Sequence, residues 1–352
     1  QLGIAAAVVV GGALYPRLGM MGVALACSAL TFGSWLTMRL IREPSTAERP
    51  RPSIVARAAR ALALVALIAI VAPPWFLSFL VTKARTRPDE QVRTDTPATY
   101  GATYEDVACA SADSITLTGW YLPSAGTGTT IVMTHGLFRS RYELVERGCD
   151  LWRLGYGVLL YDLRRHGRST AEFSTIGYDE RHDVAAAVAL ARDRAPGDRI
   201  VLFGVSMGAA ATLLAAAETE GVAAVVADSS FLSLSHTVSH HLARARIPTV
   251  PYAPLLVWMT AGRMRFDPND FDVQAAVARI RCPILFVGGG KDDRMPIETV
   301  LEPLARASRN PLSKRFVVQD AGHGHAYDAD RIAYIAAVNA FLQSAGAGTG
   351  VR

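Results

Sequence analysis

The stretch Arg199 to Ala217, RIVLFGVSMGAAATLLAAA, changes character at its middle. Arg199 to Val205 is β-branched and apolar and reads as a strand buried on both faces, whereas Met207 to Ala217 is alanine-rich and reads as a helix. The join is Gly204-Val205-Ser206-Met207-Gly208, a Gly-x-Ser-x-Gly pentapeptide. Small residues on both sides of a serine at a strand-to-helix turn permit a tight bend that leaves the hydroxyl exposed above the sheet. The pentapeptide alone recurs by chance, and it is the flanking strand and helix that make Ser206 the first candidate nucleophile.

Outward from this join, the chain alternates strands and helices. Ser114 to Leu122 alternates polar and apolar side chains as an antiparallel strand does. Thr130 to Thr134, Tyr156 to Leu163, Val222 to Ala227, Pro283 to Val287 and Arg315 to Val318 are short apolar runs with helical stretches between them. One such helix, Tyr178 to Ala195, opens with Asp179 and Glu180 and closes at Pro196-Gly197, matching the helix dipole and a stop signal. The spacing is that of βαβ units, so the expected class is α/β with a mostly parallel sheet and right-handed crossovers.

One interval is too long for a simple crossover. Residues 231–281 contain Pro248, Pro251, Pro254 and the apolar run LLVWM at 255–259, and a structureless loop of that length is improbable. The expectation is an inserted lid of short helices, in which Phe231, Leu255, Leu256 and Trp258 shape an apolar substrate pocket.

In an open parallel sheet, ligands meet the carboxyl ends of the strands. Three further groups stand there. His135-Gly136-Leu137 follows TIVMT, and the Leu137 and Met207 amides are placed to form an oxyanion hole, with His135 a packed histidine that shapes the loop. Asp292, in FVGGGKDDRMP, can orient a histidine, with adjacent Asp293 the rival and better suited to a solvated loop. His323, in QDAGHGHAYD, is the candidate base, preferred over His325 because Ala321-Gly322 before it supplies a tight turn.

Other patterns exclude functions. The net charge is +5 and many arginines lie beside apolar runs, not in blocks interleaved with aromatics, so nucleic acid is not the expected partner. Four cysteines without CxxC spacing indicate neither a disulfide framework nor a zinc site, although a single Cys109 to Cys149 bridge stays open. His236 and His240 share a helix face, but no acidic residue accompanies them at helical spacing, so a surface or pocket-lining role is expected and no metal.

Residues 1–92 read as a membrane region. Met20 to Met38 and Ala61 to Val81 carry no charged side chain, and each is long enough to cross a hydrocarbon layer of roughly 30 Å as a helix. Leu2 to Tyr15 is apolar but short and reads as part of a further span or of a processed signal. Six arginines between the two longer runs place that loop in the cytoplasm, against which Lys83, Arg85, Arg87 and Arg93 argue. The expectation is an integral, multi-pass membrane protein whose catalytic domain, 93–347, lies outside the cytoplasm.

The motifs HGL at 135–137, YDLRRHGRS at 161–169, GVSMG at 204–208, ADSSF at 227–231, GGGKDDRMP at 288–296 and AGHGH at 321–325 together resemble the α/β-hydrolase superfamily. The resemblance covers about residues 105 to 345 and is strongest to membrane-tethered BEM46-like serine hydrolases and to bacterial esterase-like and peptidase-like members. It implies an eight-stranded sheet, a Ser206, Asp292, His323 triad, an oxyanion hole from Leu137 and Met207, and no cofactor. Some members take the acid from the position of Asp228, which is the alternative here. Arg165 stands where relatives usually carry glycine, and Asp162, Arg164 and His166 are expected to form a salt-bridged structural turn. The implied activity is hydrolysis of a carboxylic or thio ester, small or lipid-like, with an apolar acyl group, through an acyl-enzyme. A serine peptidase or amidase, or a catalytically silent membrane-tethered scaffold, are the alternatives.

Overall fold

The computed structural model describes residues 53–112 and 114–347. The expected span over 20–38 and the partial span over 2–15 lie outside the described residues. The chain divides into two units, Gln1–Leu64 and Val65–Arg352. Helix α1 (Ile54–Thr82) is 29 residues long and contains Pro73 and Pro74. At about 1.5 Å per residue it measures about 43 Å, ample for a bilayer core. Among the described residues it is the one helix long and apolar enough to cross a membrane, so the expectation of a multi-pass protein is reduced to a single candidate span.

The second unit is built on eight strands: β1 (Glu105–Ala110), β2 (Thr116–Leu122), β3 (Thr129–Thr134), β4 (Gly157–Tyr161), β5 (Arg199–Val205), β6 (Val222–Asp228), β7 (Ile284–Gly289) and β8 (Lys314–Val318). Their order across the sheet is β1-β2-β4-β3-β5-β6-β7-β8. β2 runs antiparallel to β1 and β4, and every pair from β4 to β8 is parallel. β1 escapes a reading of the sequence because it is an edge strand. Of its side chains only Val107 is buried, so no apolar run marks it.

The period of two in the central strands creates two cores. Ile200 and Leu202 of β5 face one side, and Val201, Phe203 and Val205 the other. Helices α4 (Glu180–Arg194) and α5 (Met207–Glu218) cover the first face, and α3 (Val145–Arg153) and α11 (Arg331–Ser344) the second. Alanines 209, 210 and 211 of α5 are fully buried, since small side chains let that helix lie close against the sheet.

Between β6 and β7 the chain inserts α6 (Leu234–Arg244), α7 (Thr249–Met264) and the short α8 (Val273–Val277). α7 also reaches the C-terminal half of α1: the Arg263 Nε donates to Ser78 Oγ at 2.9 Å and its guanidinium stands 5.0 Å from the Trp75 ring. The remaining short helices are α2 (Pro88–Gln91), α9 (Glu302–Ala307) and α10 (Ala326–Ala329).

Buried polar groups fasten the loops at the top of the sheet. Glu180, at the start of α4, accepts hydrogen bonds from Ser174 Oγ at 2.7 Å, Thr175 Oγ1 at 2.6 Å and the Gly177 amide at 2.8 Å. Asp183, one turn later, takes the Arg164 guanidinium through Nε at 3.0 Å and Nη2 at 2.9 Å, and Ser111 Oγ at 2.7 Å. Removing Asp183 takes away the two-pronged partner of the buried Arg164 guanidinium and leaves it the more distant Asp179 at 3.9 Å. Asp183→Ala is therefore expected to cost about 3–5 kcal/mol in denaturant unfolding. A loss below about 1 kcal/mol would mean that the pair is dispensable.

Candidate active site

Ser206 joins β5 to α5 with φ 55° and ψ −118°, a strained conformation for a residue with a side chain. The two glycines of the pentapeptide explain how the strain is imposed. A Cβ on Gly204 would stand 2.4 Å from the Gly208 carbonyl oxygen, and one on Gly208 would stand 2.3 Å from that of Thr134. Backbone lies directly against backbone, so neither position tolerates a larger residue. The Ser206 amide donates to the Asp228 carbonyl at 2.8 Å, which pins the turn to the end of β6.

The Ser206 hydroxyl is 2.8 Å from His323 Nε2, and His323 Nδ1 is 2.8 Å from Asp292 Oδ2. Asp292 Oδ1 accepts the amides of Arg294 at 3.0 Å and Met295 at 2.8 Å. Burial alone would raise the Asp292 pKa, but the hydrogen bond and charge of His323, helped by the two amides, hold it below its ordinary value. The rivals lie elsewhere. Asp293 is exposed and pairs with Arg244, and His325 is exposed and pairs with Asp328 at 2.7 Å. Asp228 is fully buried, where it accepts Tyr334 Oη–H at 2.8 Å and faces Arg147 Nη1 at 3.3 Å.

Leu137 and Met207 flank the serine, and neither backbone amide has a hydrogen-bond partner among the described residues. The loop carrying Leu137 is braced by two buried histidines. The Leu163 amide donates to His135 Nε2 at 3.0 Å, so His135 Nδ1 carries the proton and donates to the Gly136 carbonyl at 2.8 Å. His166 repeats the arrangement, accepting the Phe138 amide at 3.3 Å and donating to the Arg164 carbonyl at 2.9 Å. Burial pushes both pKa values down, which keeps the rings neutral. The neighbouring turn holds Asp162, which accepts the Arg141 and Arg168 amides at 2.8 and 2.9 Å. Arg165 sits at φ 61°, a conformation that favours the glycine usual there.

The segment after α1 completes this loop, and nothing in its sequence announces the role. Thr86 Oγ1 donates to the Arg139 carbonyl at 3.0 Å and accepts the Gly167 amide at 2.7 Å. The Arg87 amide donates to the Phe138 carbonyl at 2.9 Å. Glu90, 3 % exposed, accepts Ser140 Oγ at 2.8 Å and Arg139 Nη1 at 3.2 Å. Residues expected to belong to the membrane region thus hold the loop beside Ser206.

The cavity above Ser206 and His323 has a volume of about 400 Å³. Its wall is largely charged, with Arg87, Glu90, Glu143, Arg147 and Arg294 among its residues. Phe231, Leu255, Leu256 and Trp258, expected to shape an apolar substrate pocket, are not among its lining residues. Phe231 is buried in the core with its ring 5.5 Å from that of Phe271, Leu256 is buried, and Leu255 and Trp258 are half-buried on α7. Burial against neighbouring helices, not the cavity, is where this apolar surface goes. Cys109, Cys149 and Cys282 are free thiols, so the Cys109 to Cys149 bridge is not formed. The rings of His236 and His240 stack 6.2 Å apart, and no metal-holding group of His, Cys, Asp or Glu occurs among the described residues.

A doubly wound sheet with a serine on a strand-to-helix turn, and a histidine and an acid on later loops, defines a class of hydrolase-like α/β proteins. The sequence pattern of the alpha/beta hydrolase family matches residues 131–333, and the chain belongs to that family. It is 25% identical over 296 residues to protein YqkD of Bacillus subtilis, covering 80% of this chain and 96% of that one. To protein MT2364 of Mycobacterium tuberculosis it is 30% identical over 275 residues, covering 76% and 88%. Among solved structures, the esterase Pf2001 of Pyrococcus furiosus superimposes with a TM-score of 0.62 at 27% identity, over 75% of this chain and 98% of that one.

Two outcomes follow from the site's supports. Glu90→Ala leaves Ser140 and Arg139 without their buried acceptor and is expected to lower stability by about 1–3 kcal/mol in denaturant melts. An unchanged midpoint would show that residues 86–90 merely rest on the loop. Because the folded Asp292 pKa lies below the ordinary 3.8, its contribution to stability is complete above that value and fades as pH falls through the folded value. Asp292→Asn should therefore melt earlier than wild type at neutral pH, with the gap narrowing in acid.

Proposed function

We propose that the protein is a serine hydrolase that cleaves carboxylic esters through an acyl-enzyme, with α1 holding the domain at a membrane. The observation that carries this reading is the unbroken chain Ser206 Oγ to His323 Nε2 to Asp292, at 2.8 Å for each link. With the Asp292 carboxylate holding the proton on Nδ1, Nε2 is left as the acceptor that takes the Ser206 proton. Ser206 Oγ then bonds to the acyl carbon, and the carbonyl oxygen gains the negative charge. The Leu137 and Met207 amides, which have no competing partner, are suited to receive that oxygen. Collapse breaks the bond to the alcohol, which leaves with the proton that His323 returns. Water repeats the sequence on the acyl-enzyme, giving up a proton to His323, releasing the acid and restoring the serine.

The likeness to an esterase of known structure supports an ester as the substrate class, with an alcohol as the leaving group. The interfacial character of Trp75 on α1 supports the membrane tether. Ser206→Ala should abolish labelling by a fluorophosphonate probe and reduce turnover of 4-nitrophenyl butyrate by at least about 10³-fold. Asp292→Asn should lower kcat by up to about 10⁴-fold with a smaller effect on KM, because the imidazole then favours the wrong tautomer. Turnover unchanged in Ser206→Ala would rule the assignment out.

A further inference from the structure

The charge on the cavity wall is unevenly matched. Arg139 pairs with Glu90 at 3.2 Å and with Glu143 at 3.5 Å. Arg93 pairs with Asp95 at 2.6 Å, Arg147 with Asp228 at 3.3 Å, Glu146 with Arg331, and Asp328 with His325 at 2.7 Å. Glu90, Glu143 and Glu146 therefore each already face a guanidinium, and Asp328 faces an imidazole. Two guanidinium groups are left over. Among the described residues no carboxylate lies within ion-pair distance of Arg87 or of Arg294, yet both line the cavity that holds Ser206 and His323.

Neither arginine is committed to a structural task by its side chain. The Arg87 guanidinium is 5.8 Å from the Phe138 ring, and its hydrogen bonds run through its backbone amide and carbonyl. Arg294 likewise uses only its amide, to Asp292. Arg294 also lines a second, open pocket with His241 and Arg244 of α6. Burial, with the charges of Arg244 and Arg87, lowers the Arg294 pKa against the pull of Asp292 and Asp293, so the cations repel one another across the cavity. A third donor lies deeper. Arg147 is 3 % exposed, lines the same cavity, and its Nε has no hydrogen-bond partner.

A concave site with surplus positive charge concentrates anions, and guanidinium forks suit carboxylate and phosphate oxygens. We propose that Arg87 and Arg294 form a subsite for an anionic group on the substrate, so that the preferred esters carry a carboxylate or a phosphate within reach of the scissile bond. This rests on the serine-hydrolase reading. It adds an anionic group to the apolar acyl ester that the composition of residues 255–259 implies. Arg87 comes from the segment that follows α1, so the same subsite can take a soluble anionic ester or an anionic lipid presented at a membrane surface.

The test compares matched esters on the full chain in neutral detergent micelles. One pair is mono-4-nitrophenyl glutarate against 4-nitrophenyl valerate, which puts the anion on the acyl side. The other is 1-oleoyl lysophosphatidate against 1-oleoylglycerol, which puts it on the alcohol side and in a lipid. Wild type is expected to favour the anionic member of at least one pair by about tenfold in kcat/KM at low salt, falling as ionic strength rises. The double variant Arg87→Gln, Arg294→Gln should bring that ratio close to one, and Arg294→Lys should keep most of it. Which pair responds tells a soluble acid from a lipid headgroup. No preference in either pair, or a ratio that survives the double variant, overturns the subsite. Fluorophosphonate labelling of the same preparations separates the two readings: a labelled Ser206 without anion preference defeats the subsite alone, and an unlabelled wild type defeats the hydrolase reading with it.

Discussion

The close approach of two backbones at Gly208 is the constraint on which the site depends. Because the first turn of α5 lies against the carbonyl of Thr134, at a distance that excludes a side chain, the chain must turn sharply between β5 and α5. Ser206 takes the strain of that turn at φ 55°. The same contact brings the start of α5 beside the loop after β3, against the carbonyls of Thr134 and His135. Ser206 and the loop after β3 are thus positioned by one packing event, held by the core beneath it. Fully buried Val201, Leu202 and Phe203 and the buried alanines of α5 give the turn no room to relax.

Above that turn, order is kept by buried polar groups. His135 and His166 stay neutral and bridge amide to carbonyl, Glu180 gathers the loop before α4, and Asp183 clamps Arg164. Each satisfies groups that a loop buried away from water could not leave unpaired. Thr86 and Glu90 extend the scheme to the segment that follows α1. The apolar helix and the loop beside Ser206 are therefore mechanically continuous, and α7 adds a second link through Arg263. The cavity therefore lies close to the segment that leaves the apolar helix.

The charged cavity changes what kind of substrate the fold is suited to. Apolar side chains of the insertion are spent on its own packing and on the core, which leaves the wall to arginines and carboxylates. Most of those cancel in pairs. What remains is positive and lines the same cavity as Ser206 and His323, where a charge can select a substrate.

The sequence by itself determined the central strands, because a strand buried on both faces must be apolar throughout, and a helix packed tightly on it must be small. It also determined Ser206, Asp292 and His323 as candidates, since groups at the carboxyl ends of parallel strands are brought together by the topology alone. β1 was illegible because an edge strand needs no apolar run. The lining of the cavity was illegible for another reason: whether Trp258 or Arg294 faces the serine depends on how α6 and α7 rest on the sheet, which no local pattern encodes. Only the tertiary structure decided that Arg87 and Glu90, more than a hundred residues before Ser206, line the same cavity, because side-chain contacts between distant segments are set by packing and not by spacing along the chain.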